Sequence, residues 1–454
     1  MTDNKRERML SEPIPRLVTR LAVPTIISML VTTFYNMVDT YFVGLLNSPS
    51  ATGAVGVAFG YMAFVQAIGF FFGQGSGNCI ARLLGAGDRQ KADEMASSGF
   101  LYALCAGVLI AVAGALGLTP LCRMLGATDT ILPYAKDYLF YILIGTSYMV
   151  ASFVLNNQMR FQGGALFSMF GIVSGAVVNI ALDPLLMFTF GMGIGGAALA
   201  TIISQAVGFV VLLIGTFRGD NIRLSIRKVR VKAWIFKEIL RGGIPSLFRQ
   251  GLASISAVCL NLVAGGLAGD IAIAAMSIVS RIMMFANSAM IGFGQGMQPV
   301  SGFNYGAGRY DRVREAFWFC VRYALLALAL IAAAGFVFAE PLAHLFQKDG
   351  EVVRVATLAL RFQCISFVGN AFIVPANMML QSVGKTVPAS LLAAARQGIM
   401  FLPALYLLTH FFGITGLAMA QTVADVLSLL LSIPLALHFL HSIKENPKQP
   451  SEQH

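Results

Sequence analysis

About twelve windows of roughly 20 consecutive, mostly apolar residues recur along the chain. Each is long enough to cross a hydrocarbon layer of ~30 Å as a helix. The spacing predicts spans at approximately 20–45, 52–81, 95–118, 133–159, 166–190, 193–216, 235–266, 271–301, 315–339, 353–380, 387–410 and 414–440. Of the 454 residues, 57% are hydrophobic and 12% charged, whereas a soluble domain is nearer half apolar and a quarter charged. The expected fold class is an all-α polytopic membrane protein with twelve transmembrane helices.

The formal net charge of +11 would suit a nucleic-acid partner only if it formed one patch. Instead the basic residues gather at alternate connections. Lys5, Arg6, Arg8, Arg16 and Arg20 precede span one, and Arg82, Arg89 and Lys91 follow span two. Arg218, Arg223, Arg227, Lys228, Arg230, Lys232 and Lys237 follow span six, and Arg309, Arg312 and Arg314 follow span eight. The loops LNSPSA and GMG have no Lys or Arg. The positive-inside rule then places both termini and the long linker in the cytoplasm, in a multi-pass inner-membrane protein. The first twenty residues are polar and basic, without the short apolar core of a cleavable signal. Cys79, Cys105, Cys122, Cys259, Cys320 and Cys364 are scattered, without metal-ligand spacing, and read as packing residues. No nucleic-acid or obligate protein partner is implied; membrane lipids are.

An internal repeat divides the chain. FGQGSGNCIARLLGAGDRQKADE (72–94) lies over FGQGMQPVSGFNYGAGRYDRVREA (293–316) at a shift of 221 residues, matching FGQG with FGQG and GAG with GAG. The same shift puts Pro24 on Pro245 and Gly44 on Gly265, while GIGGAALA (193–200) matches GITGLAMA (413–420) at a shift of 220. Six spans is an even number, so both halves enter from one side and the repeat is parallel. The expected organisation is an N-lobe over 1–222, a basic linker over 223–234 and a C-lobe over 235–454 ending in a short tail. Two such lobes enclose a V-shaped central cleft, as in an alternating-access transporter. For Gly73, Gly75, Gly294 and Gly296, close helix packing is favoured over a hinge.

Two acids sit deep in apolar sequence. Asp39 comes about 19 residues into span one, roughly 28 Å along a helix, and Asp183 about 17 residues into span five. Both spans start from the same side, so the two acids reach similar depths and can share a pocket. Asn36 and Thr40 flank Asp39, Asn179 lies one turn before Asp183, and Thr201 and Gln205 form a polar i,i+4 pair in span six. Pro184 removes an amide donor from span five. An ionised Asp at mid-helix costs roughly 2.5–3.5 kcal/mol on insertion scales, so the cluster is either a structural network or, as favoured here, a site for a coupling cation. A carboxyl in low dielectric resists ionisation, more so beside a second one; such a site can load and release a proton, or hold sodium among amide and hydroxyl oxygens. The repeat places Leu260 opposite Asp39 and Leu402 opposite Asp183, which confines the pair to the first half.

The second half carries Arg249, Arg281, Arg361, Arg396 and Asp425 in or near apolar runs. Arg249 is read as a snorkelling residue, and Arg160 and Lys385 as topology anchors. Arg281 and Arg396 either pair with Asp425 or meet an anionic or zwitterionic substrate. Met283, Met284 and Met290 suit a soft cleft wall.

Assembled, these residues resemble the prokaryotic multidrug and toxin extrusion (MATE) transporters, from LAVPTIISMLVTTFYNMVDTYFVG through the paired GQG and GAG segments to GITGLAMAQTVADV. The resemblance implies two six-helix bundles, a V-shaped cleft and export of organic cations against protons or sodium. It assigns the cation site to Asp39, Asn179, Asp183 and Thr201, with sodium as the metal if one is used. The acidic C-lobe site of other family branches has no match. The expected function is a secondary antiporter for amphipathic, cationic small molecules, with no cofactor beyond H+ or Na+ and no enzyme activity, since neither HExxH nor GxSxG occurs. The alternatives are a lipid-linked saccharide flippase and an exporter of one anionic or zwitterionic metabolite.

Overall fold

The structure, a computed structural model, describes residues 3–46, 48–218 and 221–445. The expected tail beyond residue 445, and residues 47, 219 and 220 of the connections, lie outside the described residues. A short helix α1 (Asp3–Ser11) precedes α2 (Ile14–Gly44), α3 (Pro49–Ala86), α4 (Arg89–Leu116), the short α5 (Leu118–Met124), α6 (Leu132–Phe161), α7 (Ala165–Pro184) and α8 (Gly193–Phe217). After the linker come α9 (Ala233–Gly306), α10 (Tyr310–Val337), the short α11 (Ala339–His344), α12 (Gly350–Phe367), α13 (Asn370–Ser382), α14 (Thr386–Ala394) and α15 (Phe401–Glu445). Among the described residues nine helical stretches are long and apolar enough to span a membrane, ten when α12 and α13, bent by 56°, count as one broken span. Two of these stretches are double. Ala268 and Gly269 leave helical geometry inside α9, and Gly413 does so inside α15. The spans therefore number twelve.

The helices outrun the hydropathy windows because their polar end turns are capped. Ser48 accepts from the Ala51 N–H at the start of α3, and Asp88 from the Lys91 N–H at the start of α4. Such side-chain oxygens satisfy N–H groups left free in a first helical turn. At two reversals only glycine fits comfortably: Gly193 and Gly413 both have φ +56°, in the left-handed region, and they are 220 residues apart, the repeat's own shift.

The repeat reappears in three dimensions. Asn156 donates from Nδ2 to the Ser168 carbonyl at 3.0 Å, and Asn377 to the Ala389 carbonyl at 2.7 Å; both members of the pair move by 221. The paired glycines explain what the motif does. A Cβ on Gly85 would collide with the Phe303 carbonyl, and one on Gly306 with the Arg82 carbonyl, again related by 221. The GAG segments thus let α3 and the second limb of α9 cross backbone to backbone. Around the GQG segments, a Cβ on Gly73 would lie 2.9 Å from Asn157 Nδ2, and one on Gly294 2.6 Å from Met378 Sδ. Gly75 abuts Ile239, and Gly296 abuts Ala22. All four sit in regular helix with a neighbour against them, which supports close packing rather than a hinge. In lipid such contact, rather than apolar burial, draws helices together.

The two halves meet chiefly through α3 against α9 and α2 against α9. At the basic end Arg82 of α3 pairs with Glu238 of α9 at 2.5 Å and donates to the Ser382 carbonyl at 2.9 Å. Arg312 and Arg309 reach back to the carbonyls of Glu12 and Leu10. Among the described residues, the hydrogen bonds between halves run from this end to Thr33–Ser288, at 2.6 Å. Ser288 lies 18 residues before the end of α9, roughly 27 Å along the helix. The linker is pinned to α4: Ser97 accepts from Ser225 N–H, Ser98 from Arg230 N–H, and Lys228 pairs with Asp93.

Candidate functional site

Four helices of the first half bring the acidic cluster together. Asp183 is the penultimate residue of α7 and has no exposed surface; Asn179, one turn earlier, is 2% exposed. Asn179 Nδ2 donates to Asp183 Oδ1 at 3.1 Å. Pro184 has no N–H to offer, and the chain continues through a π turn, Leu185–Thr189, in which Phe190 N–H reaches back to the Leu185 carbonyl. Such wide turns recur at functional sites. Asp39 arrives from α2, close enough for its charge and that of Asp183 to interact.

Two tyrosines complete the walls. Tyr138 of α6, 1% exposed, feels both carboxylates and sets its hydroxyl against Thr201 of α8. Tyr35 of α2 sits against Gln205 of α8 and beside Asp39. Sequence reasoning named neither, although Tyr35 lies one turn before Asp39 on the same stripe. The cluster therefore joins Asp39, Asn179, Asp183, Thr201 and Gln205. Asn36 is half-buried beside it, while Thr40 is exposed and donates to its own helix at the Asn36 carbonyl.

The hydrogen-bond bookkeeping of this cluster does not close. Asp39 Oδ1, Asp183 Oδ2 and Asn179 Oδ1 are all buried without a partner. Buried polar atoms are nearly always paired, and leaving one unpaired costs roughly 1–3 kcal/mol. All three orphans are acceptors. Such oxygens suit a proton on one carboxyl, or a hard ion that takes oxygen ligands. The site suits no transition metal, since no group of three or more His, Cys, Asp or Glu among the described residues could hold one.

In the second half, Arg396 lies in another π turn, Ala395–Ile399. Its Nε pairs with Asp425 Oδ1 at 2.9 Å, and Nη2 approaches Asn287 at 3.4 Å. Gln421 and Ser366 donate to the same carboxylate. Of the two readings open for Arg396, the geometry gives the ion pair. Arg281 and Met284 are exposed on the second limb of α9, and Arg281 makes no hydrogen bond or ion pair among the described residues.

Two readings of basic residues need correction. Arg160 is no topology anchor: at 1% exposure it is among the largest fully buried side chains. It turns inward because α9 supplies Gln295 Oε1 at 2.5 Å and its own helix supplies Asn157 Oδ1 at 2.6 Å. Arg249 does not snorkel; it donates to Asn377 Oδ1 at 3.2 Å and Ser246 Oγ at 3.3 Å, inside the second half. Lys385, by contrast, is exposed.

A two-lobed polytopic bundle, repeated in sequence and in contacts and carrying a buried acidic cluster in one lobe, defines a membrane transporter rather than an enzyme. The family model MatE matches residues 24–185 and again 245–407, and the chain belongs to that family. It is 28% identical over 407 residues to the multidrug export protein MepA of Staphylococcus saprophyticus, covering 89% of this chain and 90% of that one. A crystal structure of a MATE protein in complex with MaL6 superposes with a TM-score of 0.93 at 26% identity, covering 98% of this chain and all of that one. An outward-facing multidrug-resistance MATE transporter of the MOP superfamily gives 0.92 at 26% identity, with 97% and 98% covered.

Proposed function

We propose that the protein is a multidrug efflux antiporter that exports amphipathic, cationic small molecules in exchange for protons, with sodium as the alternative ion, and that Asp39 and Asp183 carry the coupling. The observation behind this is the trio of buried oxygens on Asp39, Asn179 and Asp183 that accept no hydrogen bond from the protein, oxygen ligands suited to a proton or a hard cation. Similarity to a multidrug export protein supports the substrate class.

The mechanism follows from mutual exclusion. A proton on Asp183 turns Oδ2 into a donor for a neighbouring acceptor and removes one of the two negative charges that hold a cationic drug, so ion entry favours drug release. Tyr138 and Thr201 hold the carboxyl's surroundings in register, and Tyr35 with Gln205 does so for Asp39. The driving force is adequate: ~2.3 kcal/mol per charge per 100 mV corresponds to roughly 50-fold accumulation. The halves are sealed at the basic end by Arg82–Glu238, Gly85–Phe303 and Gly306–Arg82. With positive-inside orientation, that end is cytoplasmic, the termini lie in the cytoplasm and the cleft faces out, as in the outward-facing relative. The N-lobe, linker and C-lobe run as 1–222, 223–234 and 235–454.

The test is ethidium export from sodium-free proteoliposomes under an imposed pH gradient. Wild type is expected to export; Asp183→Asn, expressed and folded at the same level, is not. Undiminished transport by Asp183→Asn removes that carboxyl from the mechanism, and transport that needs added sodium reverses the ion.

A further inference from the structure

The seam between the lobes holds a second charged feature that cation export does not use. Arg160 of α6 belongs to the first half and Arg249, on the first limb of α9, to the second. A chain of amides joins their sites: Gln295, the partner of Arg160, lies one turn before Gln298, which donates to Gln381, and Gln381 donates to Ser246, the partner of Arg249. Neither makes an ion pair among the described residues. Their partners are neutral: Asn157 and Gln295 for Arg160, Asn377 and Ser246 for Arg249. Arg160 also stands over the Phe161 ring at 5.3 Å, and its Nε is buried with no acceptor at all. Gln295 lies 11 residues before the end of α9, roughly 16 Å from the basic end, well inside the span. Two like charges without a counter-ion at that depth are expensive unless something anionic joins them.

We propose that Arg160 and Arg249 form an anion subsite that takes the carboxylate or phosphate group of a small molecule when the basic end opens. The Arg160–Gln295 bond crosses the seam, so parting of the lobes there breaks it and frees one arm of the guanidinium. The released Nη1 then offers its N–H groups to an oxygen of a carboxylate or phosphate, a charge-assisted hydrogen bond, and Arg249 supplies the second positive charge. The subsite rests on the export reading above and widens it: a zwitterion would place its cationic end towards Asp39 and Asp183 and its anionic end on the arginines.

The experiment uses the full chain in phosphatidylcholine vesicles, which bring no anionic headgroup of their own. Norfloxacin, with a carboxylate and an amine, is compared with ethidium, which has no carboxylate. In Arg249→Gln the norfloxacin-to-ethidium export ratio should fall about tenfold, the factor carried by one charge-assisted hydrogen bond. Arg361→Gln, on an exposed side chain, should keep the wild-type ratio. Thermal unfolding with sodium benzoate or inorganic phosphate reads the site without transport. Stabilisation of wild type but not Arg249→Gln by benzoate alone assigns it to organic carboxylates; equal stabilisation by phosphate assigns it to free anions too. An unchanged export ratio, or benzoate stabilisation equal in wild type and Arg249→Gln, overturns the proposal. Failure of wild-type ethidium export would instead strike the antiport reading, leaving the thermal shift to judge the anion site.

Discussion

Gly292→Ala is expected to unseat the closed basic end. A Cβ there would lie 2.6 Å from Ile26 Cα, 2.9 Å from Ile26 N and 3.0 Å from the Thr25 carbonyl oxygen. Carbon atoms pack at about 3.5–4.0 Å, so α2 and the second limb of α9 must part by about 1 Å, and backbone atoms have no rotamer with which to yield. Overpacking of this kind costs typically ~1–3 kcal/mol. The helix-propensity gain of Ala over Gly, about 1 kcal/mol, applies equally whether the lobes are closed or parted there, and cancels from their ratio. The conformer open at the basic end should therefore gain roughly 5- to 150-fold in relative population. Cys79 reports on it: the thiol is 4% exposed, in α3 beside Arg82 and Glu238 at the seam. Maleimide labelling of Cys79 in proteoliposomes, followed by mass spectrometry of its peptide, should accelerate by a factor in that range. A folded Gly292→Ala protein that labels Cys79 no faster than wild type would refute the reasoning.

Glu238→Gln should act in the same direction but more weakly, because Arg82 keeps its bond to the Ser382 carbonyl at 2.9 Å and the ion pair is partly exposed; a few-fold faster Cys79 labelling is expected, checked in the same assay. Arg396→Ala leaves Asp425 buried without its cation, a loss of ~3–5 kcal/mol for a buried pair, so the unfolding temperature should fall clearly. The double variant Arg396→Ala, Asp425→Asn should recover part of that loss, and no recovery would mean that the arginine acts through something other than the pair.

What the sequence showed best were features carried by short, local or repeated patterns. Twelve spans follow from apolar runs, and the 221-residue shift anticipates contacts as specific as Asn156–Ser168 and Asn377–Ala389. Asp39 and Asp183 were conspicuous because a carboxylate in an apolar run has few innocent explanations. The tyrosines were not, because Tyr suits apolar helices and only the tertiary arrangement shows that Tyr35 and Tyr138 turn their hydroxyls towards Gln205 and Thr201. Arg160 was misread for a related reason. A basic residue near a helix end usually anchors at the membrane surface, and its amide partner Gln295 is 135 residues away on the other lobe. Direction of a long flexible side chain is decided by neighbours, and those are set by lobe packing that no local window contains.

The proposed mechanism turns on the carboxyl cluster exchanging a cation for a drug. The direct measurement is proton release when ethidium binds the purified protein in weakly buffered, sodium-free solution. Wild type should release protons on binding, and Asp183→Asn should release markedly fewer. Tight binding by wild type with no proton release, and no competition from sodium, would contradict the account.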